Sequence, residues 1–324
     1  MVSLDIIRAP IKHELDEFED YFRSTIQSDI PLLSTIINYV LRQKGKHMRP
    51  MFVFLAAKMN GDFNETTYMA ASSIELLHTA TLIHDDVVDE SYERRGSFSI
   101  NALWKNKLAV LVGDYILGKG LLLNINNENY EFLKLISRSV KDMSEGEILQ
   151  MRKSLKPDLN YDTYFEIIRK KTASLIATSL AIGAASTTGN REIVERMFEI
   201  GIDVGTAFQI KDDIFDYQAK GILGKPTGND LRERKITLPL LYALSNTPER
   251  ERRHILQDVR RKNKTSAKVQ ELITFVIEKG GLIAATDQMN HYRDQAITRI
   301  MEFPETPARD ALVELVNYVT TREK

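Results

Sequence analysis

The chain of 324 residues contains no cysteine. Disulfides, thiolate nucleophiles, iron–sulfur clusters and cysteine-type zinc sites are thereby excluded, and a reducing compartment suits the composition. An excess of charge of one sign is also missing. Lys and Arg number 44 against 45 Asp and Glu, a formal net charge of −1, so no electrostatic footprint points to nucleic acid as a partner. Long hydrophobic runs are absent too. The longest uncharged stretch, Thr172 to Asn190, contains only four strongly apolar side chains, Leu175, Ile176, Leu180 and Ile182, among Ala, Ser, Thr and Gly. That composition describes a closely packed internal helix rather than a transmembrane segment. The opening MVSLDIIRAPIKHELDEFED is acidic and lacks the basic-then-apolar order of a secretory leader. The expectation is a soluble, cytoplasmic protein with no transmembrane segment.

What remains is an ordinary globular composition, 43% hydrophobic and 27% charged. The dominant period is helical: Leu15, Phe18, Phe22 and Ile26 recur every three or four residues, and no useful stretch alternates with period two. Asp29-Ile30-Pro31, Asn64, Asn190, Thr247-Pro248 and Thr306-Pro307 open helices; Asn60-Gly61, Thr188-Gly189 and Gly280-Gly281 close them. The pattern predicts helices near 11–26, 31–43, 49–60, 64–90, 98–123, 129–155, 161–188, 191–219, 236–246, 248–262, 266–279, 281–301 and 307–321. No Pro/Gly/Ser-rich linker and no repeat divides the chain. Its one compositional break, residues 219–235 (AKGILGKPTGNDLRERK), reads as a functional loop between helices. Although the length alone would suit two domains, the expected architecture is all-α, a single domain over residues 1–324.

One pentapeptide occurs twice, as Asp85-Asp86-Val-Val-Asp89 and Asp212-Asp213-Ile-Phe-Asp216. At this chain's aspartate content, one DDxxD is expected by chance roughly one time in ten, and two only a few times in a thousand. On a helix, residues i and i+4 share a face, so Asp85 pairs with Asp89 and Asp212 with Asp216. A solvated acidic helix end is the bland alternative, but apolar runs precede both motifs, Ile74 to Ile83 and Val204 to Ile210. Paired carboxylates on otherwise apolar helices suit Mg²⁺, which keeps waters and bridges carboxylates to substrate phosphates. Basic clusters that could hold the remaining phosphate oxygens lie at Gly45-Lys46-His47-Met48-Arg49-Pro50, at Arg94-Arg95-Gly96 just past the first motif, and in 219–235 just past the second.

With these residues in view, GKHMRP, LIHDDVVDESYERRG, GDYILGKG, KTASLIATS, FQIKDDIFDYQ and GKPTGNDLRERKITLP resemble, in order, the landmarks of the trans-isoprenyl (polyprenyl) diphosphate synthases. The resemblance covers residues 42 to 243. It implies a helical bundle around a central cavity, a homodimer, and Mg²⁺-dependent head-to-tail condensation of isopentenyl diphosphate with an allylic diphosphate, farnesyl diphosphate being the expected starter. It further implies that Asp85, Asp89 and Asp212 are the principal Mg²⁺ ligands, supported by Asp86, Asp213 and Asp216. Lys46, Arg49, His78 and Arg95 would hold isopentenyl diphosphate, while Arg94, Lys171, Thr172, Gln209, Lys225 and Lys235 would serve the allylic substrate. Lys44 stands where many members have a second glycine. The Thr172 hydroxyl, the Gln209 amide and the Lys171 carbonyl are neutral oxygen dipoles that can stabilise the allylic cation without acting as strong nucleophiles, and the resemblance implies that the departing diphosphate removes the final proton.

Product length is the finer question. From Asp85 back to Asn64 a helix extends about 32 Å, and each turn of about 5.4 Å can wall one isoprene unit. The turn below the first motif carries Ala80 and Thr81, both small, where a bulky aromatic blocks the tail in short-chain relatives. The expectation is a long-chain product, octaprenyl, of the kind that supplies quinone side chains; a geranylgeranyl or farnesyl diphosphate synthase is the alternative. Rival classes account for less. Two Glu-x-x-His pairs, Glu75/His78 and Glu251/His254, suggest a di-iron carboxylate bundle, but the second lies among arginines. His84-Asp85 could mark an HD-type phosphohydrolase, leaving the second DDxxD unexplained. GILGKPT departs from a nucleotide P-loop, and intact aspartates argue against a silent partner subunit.

Overall fold

The computed structural model describes residues 4–42, 47–94, 96–155, 160–218 and 228–322. In chain order the helices are α1 Leu4–Arg8, α2 Lys12–Ile26, α3 Pro31–Arg42, α4 Met48–Asn60, α5 Glu65–Val88, α6 Ile100–Asn126, α7 Tyr130–Leu155, α8 Tyr161–Ile168, α9 Ser174–Ala185, α10 Arg191–Tyr217, α11 Asn229–Arg232, α12 Leu238–Ser245, α13 Glu249–Arg260, α14 Ser266–Glu278, α15 Gly281–Met301 and α16 Pro307–Thr321. A 3₁₀ turn links α1 to α2, and a π-helical turn, Arg169–Ala173, joins α8 to α9. The fold is all-α, as expected. The departures are short elements: α1, α11, the π turn inside the expected helix 161–188, and a hairpin pairing Glu93 with Phe98 and Arg94 with Ser97.

Local chemistry sets these boundaries. At the start of α5 the Asn64 side chain accepts from the Thr67 N–H at 3.2 Å, and the Thr67 hydroxyl returns the contact to the Asn64 N–H at 3.4 Å. Asn190 and Thr306 likewise accept from Glu192 and Arg309 backbone N–H groups.

The chain falls into two compact units, each built from separated stretches. Unit 1 takes Met1–Val140, Leu175–Glu199 and Ile300–Leu315; unit 2 takes Lys141–Ser174, Ile200–Arg299 and Val316–Lys324. In unit 1, α5 packs along α6 and against α4 and α2. Phe54 of α4 touches Phe18, Phe63 and Tyr68 edge-on at 5.4–5.7 Å. Leu175–Ala184 is buried throughout, the internal helix its composition predicts. One helix among the described residues, α6, is long and apolar enough by length and composition to cross a membrane. It breaks at Lys105 (φ 70°, ψ 157°) and leaves Leu103, Val110, Leu111, Leu122 and Ile125 exposed.

Unit 2 has two adjoining cores. One gathers Tyr217, Leu231 and Leu240 with α13 and α14; the other packs Tyr164, Ile168, Ile210 and Ile214 against Leu238, Leu241 and Met289. Tyr164, Ile168 and Leu241 of this second cluster also line a cavity of the unit.

Candidate functional site

In unit 1 the first aspartate motif ends α5. Asp85 is half-buried, and Asp89 is exposed at the C-cap, its N–H donating to the Asp85 carbonyl at 2.8 Å. Asp86 turns inward. Burial pushes its carboxyl above the usual carboxylate range, and Arg94 opposes that shift by donating Nε–H to Oδ1 at 2.7 Å. The short hairpin that follows α5 delivers this arginine, a piece of β structure that helical periodicity cannot reveal. Asp85 and Asp89 thus offer the more open oxygens and Asp86 anchors Arg94.

The same face of α5 lines a cavity of about 450 Å³ through Glu75, His78, Thr79, Leu82, Ile83 and Asp86. Arg8, Arg23, Arg42, His47 and Arg94 also reach it, a cation-rich lining suited to an anion. His78 sits there as expected. Arg8, Arg23 and Arg42 were not singled out by the sequence, because isolated arginines on amphipathic helices carry no motif. Arg49 occupies the first turn of α4, half-buried, outside the cavity lining. Lys44, Lys46, Arg95 and Lys225 lie outside the described residues. Ala80 is buried and Thr81 half-buried, its hydroxyl donating to the His78 carbonyl at 2.8 Å. Thr81 lies one turn below Asp85 on one face of the helix; neither residue lines the cavity of unit 1.

In unit 2 the second motif ends α10 and does three different jobs. The half-buried Asp212 pairs with Arg322, whose guanidinium stacks 4.3 Å from the Phe208 ring. Burial raises the Asp212 carboxyl while Arg322 and Lys211 oppose it. Asp213 is fully enclosed and pushed up to about 8 by burial and by the nearby Asp230 carboxylate. Asp216 fastens the chain beyond the loop: its two oxygens accept from the Asn229 and Asp230 N–H groups at 2.9 Å, and its carbonyl accepts from Gly228 at 2.9 Å. Asp230 is itself pushed up to about 6 by burial and by Asp216. Several carboxyls gathered in one buried place, with protonation favoured, are what a cation is needed to relieve.

A cavity of about 160 Å³ opens beside them, lined by Lys171, Thr172, Gln209, Asp213 and Lys235, five residues that the sequence assigns to substrate or metal. Three of them, Thr172, Gln209 and Asp213, form a connected chain with Tyr164. The Tyr164 hydroxyl donates to Asp213 Oδ2 at 2.6 Å, Gln209 Nε2 donates to Asp213 Oδ1 at 2.9 Å, and the Thr172 hydroxyl donates to Gln209 Oε1 at 2.6 Å. With its proton committed to Gln209, the Thr172 oxygen offers lone pairs rather than a proton. Lys171 pairs with Glu147 and donates to Gln150 Oε1 at 2.8 Å; Lys235 pairs with Glu233 at 2.5 Å.

The π turn presents Lys171 and Thr172 to this cavity. Ser174 N–H bonds back to the Arg169 carbonyl, a five-residue span that widens the helix there. Two glycines admit the wide turn: a Cβ on Gly146 would lie 2.7 Å from Lys171 N, and one on Gly205 would lie 2.4 Å from Ala173 Cα. Tyr164, Asp230 and Arg322 adjoin the candidate residues and were not assigned from the sequence. Asp230 stands inside the GKPTGND landmark, which was the available signal; Tyr164 and Arg322 had none.

The donor set fits a hard divalent cation, all of its ligands being carboxylate oxygens. Among the described residues no group of three or more His, Asp or Glu forms a ready-made metal cage, so phosphate oxygens and water would complete the shell. The rival Glu-x-x-His pair is engaged elsewhere: Glu251 pairs with Lys279 at 3.3 Å, and His254 faces Asp258 at 3.8 Å.

Known proteins share this chain's sequence and fold. The profile of the Polyprenyl synthetase family matches residues 30–276. The chain is 35% identical over 318 residues to an all-trans-nonaprenyl-diphosphate synthase (geranyl-diphosphate specific) of Rhodobacter capsulatus, covering 98% of this chain and 97% of that protein. A polyprenyl synthase from Caulobacter crescentus CB15, solved with calcium and isoprenyl diphosphate, superposes with a TM-score of 0.91 at 32% identity, over 100% of this chain and 99% of the other. A geranylgeranyl pyrophosphate synthase from Bacteroides thetaiotaomicron gives 0.85 at 36% identity, over 99% and 100%.

Proposed function

The chain belongs to the polyprenyl synthetase family, and on that premise we propose that it is a Mg²⁺-dependent transferase that joins isopentenyl diphosphate head-to-tail to an allylic diphosphate, farnesyl diphosphate by preference, and extends it to a long all-trans chain, octaprenyl. The observation that carries the reading is the hydrogen-bonded run Tyr164–Asp213–Gln209–Thr172 beside Lys171 and Lys235. Lys171 and Lys235 bind oxygens of the allylic diphosphate and keep the leaving group in place. Mg²⁺ at the aspartate motifs would supply Lewis-acid stabilisation of that group as its C–O bond breaks. The neutral oxygens Thr172 Oγ1 and Gln209 Oε1 would stabilise the developing allylic cation as dipoles, and being uncharged they are weak nucleophiles that trap it poorly. The cation-rich cavity of unit 1, with His78, receives isopentenyl diphosphate.

Identity alone does not choose the product length, since the nonaprenyl and geranylgeranyl relatives are almost equally similar. Thr81, one turn below Asp85 on its face, supports long products by its small size. The burial of Ala80 at 1% exposure favours a packing role for that residue and keeps the short-chain reading in play. Incubation with isopentenyl diphosphate, Mg²⁺ and either farnesyl or geranyl diphosphate decides: the expected product has about eight units, and a sole product of four units overturns the long-chain assignment. We further propose a homodimer, the second copy covering the exposed aliphatic face of α6. Asp114 and Lys119 within that helix make hydrocarbon a poorer cover than protein.

A further inference from the structure

The cations of this chain are unevenly spread. Residues 249–268 hold eight Lys and Arg against three Asp and Glu, leaving 36 against 42 elsewhere. They occupy α13 and the segment after it, and none lines the cavity of unit 2. Helical period sorts α13 into two faces. Ile255, Asp258 and Val259 are buried, while Arg250, Arg253, His254 and Gln257 run along the outer face and border a shallow groove. Arg253 pairs with Glu249, and Arg261 with Asp258 at 3.2 Å. Arg250, Arg252 and Lys262 have no acidic partner among the described residues.

A second observation adjoins the first. Glu251 at the head of α13 binds Lys279 of the α14–α15 turn at 3.3 Å, and Ile277 and Ile283, on either side of that turn, are 48% and 70% exposed. Aliphatic side chains this open, beside a row of cations of which Arg250 and Lys262 have no acidic partner among the described residues, form a surface that water serves poorly. We propose that this face of unit 2 docks on an anionic lipid bilayer, the arginines meeting headgroup phosphates and the two isoleucines entering the acyl boundary. Nucleic acid or an acidic protein would use the cations but leave the isoleucines without a role. The inference does not depend on the reaction proposed above.

Sedimentation of the full chain with vesicles tests it. Vesicles of phosphatidylcholine mixed with phosphatidylglycerol should bind at least about tenfold more tightly than phosphatidylcholine alone, and added salt should weaken the binding. The combined change Arg250→Gln, Arg253→Gln and Lys262→Gln should cost about a hundredfold in affinity, at about fivefold per cation. Ile277→Ser with Ile283→Ser should weaken binding while preserving its salt dependence. Both variants should keep prenyl transfer on soluble substrates. Equal binding of the unmodified protein to the two vesicle types overturns the proposal, as does unaltered binding by the glutamine variant. Retention on heparin or RNA that the serine pair leaves unchanged, with no vesicle binding, assigns the surface to another partner and likewise overturns it.

Discussion

Thr172 and Gln209 stand 37 residues apart in sequence and 2.6 Å apart in space, and Asp213 and Tyr164 complete their chain. Within it, Tyr164 positions a carboxyl that in turn positions an amide. Tyr164→Phe should destabilise the protein by about 1–3 kcal/mol, the cost of leaving a buried acceptor unsatisfied, and should lower kcat more than it changes KM for either substrate; chemical denaturation and steady-state kinetics measure the two. Asp85→Ala or Asp212→Ala should reduce kcat at least about a hundredfold with the fold intact, the scale for losing a group that stabilises transition-state charge. Near-normal turnover by Asp212→Ala at saturating Mg²⁺ would remove the second motif from the reaction. Thr81→Phe should shorten the product to about three or four units, read by chromatography, if each turn below Asp85 walls one unit. The motif residues were legible because their chemistry repeats in one short pattern. Tyr164 and Arg322 were not, since a lone tyrosine or arginine acquires meaning only from a partner brought in by folding. The structure also separates aspartates that the sequence shows as equivalent: Asp86 is bound to Arg94 and Asp216 to the 228–230 backbone.

Helices were the easiest elements to read, because apolar spacing and caps such as Asn64 act locally. The π turn was not legible. Residues 161–188 have a continuous helical pattern, and the extra width at Arg169–Ala173 depends on glycines carried by other helices, Gly146 on α7 and Gly205 on α10. Gly205→Ala tests that dependence. Its Cβ would press on backbone rather than on a flexible side-chain end, so the turn must move; about 1–3 kcal/mol of stability should be lost, and turnover should fall because Lys171 and Thr172 shift together. Unchanged melting temperature and kcat in this variant would show that the turn holds its width without the close approach. The hairpin after α5 escaped the sequence for a simpler reason: two-residue strands are too short to show alternation.

At the scale of the whole molecule, the all-α class was legible from composition and period, while the division into two units was not, since it reflects contacts between residues far apart along the chain. The transmembrane question was asked of the wrong stretch. Thr172–Asn190 attracts notice by lacking charge, whereas α6, interrupted by Asp114 and Lys119, is the apolar helix with an open face. If that face joins two copies, Leu111→Glu with Leu122→Glu should convert a dimer to a monomer in light scattering after gel filtration; a single-chain mass for the unmodified protein would refute the dimer. The division into units also bears on how the protein is made. Unit 1 takes its last stretch from Ile300–Leu315 and unit 2 takes its last from Val316–Lys324, so neither is complete before residues beyond 300 have been translated. Until then the nascent polypeptide displays apolar helices whose final partners do not yet exist, and the yield of active protein in a cell should depend on chaperones holding it through that interval.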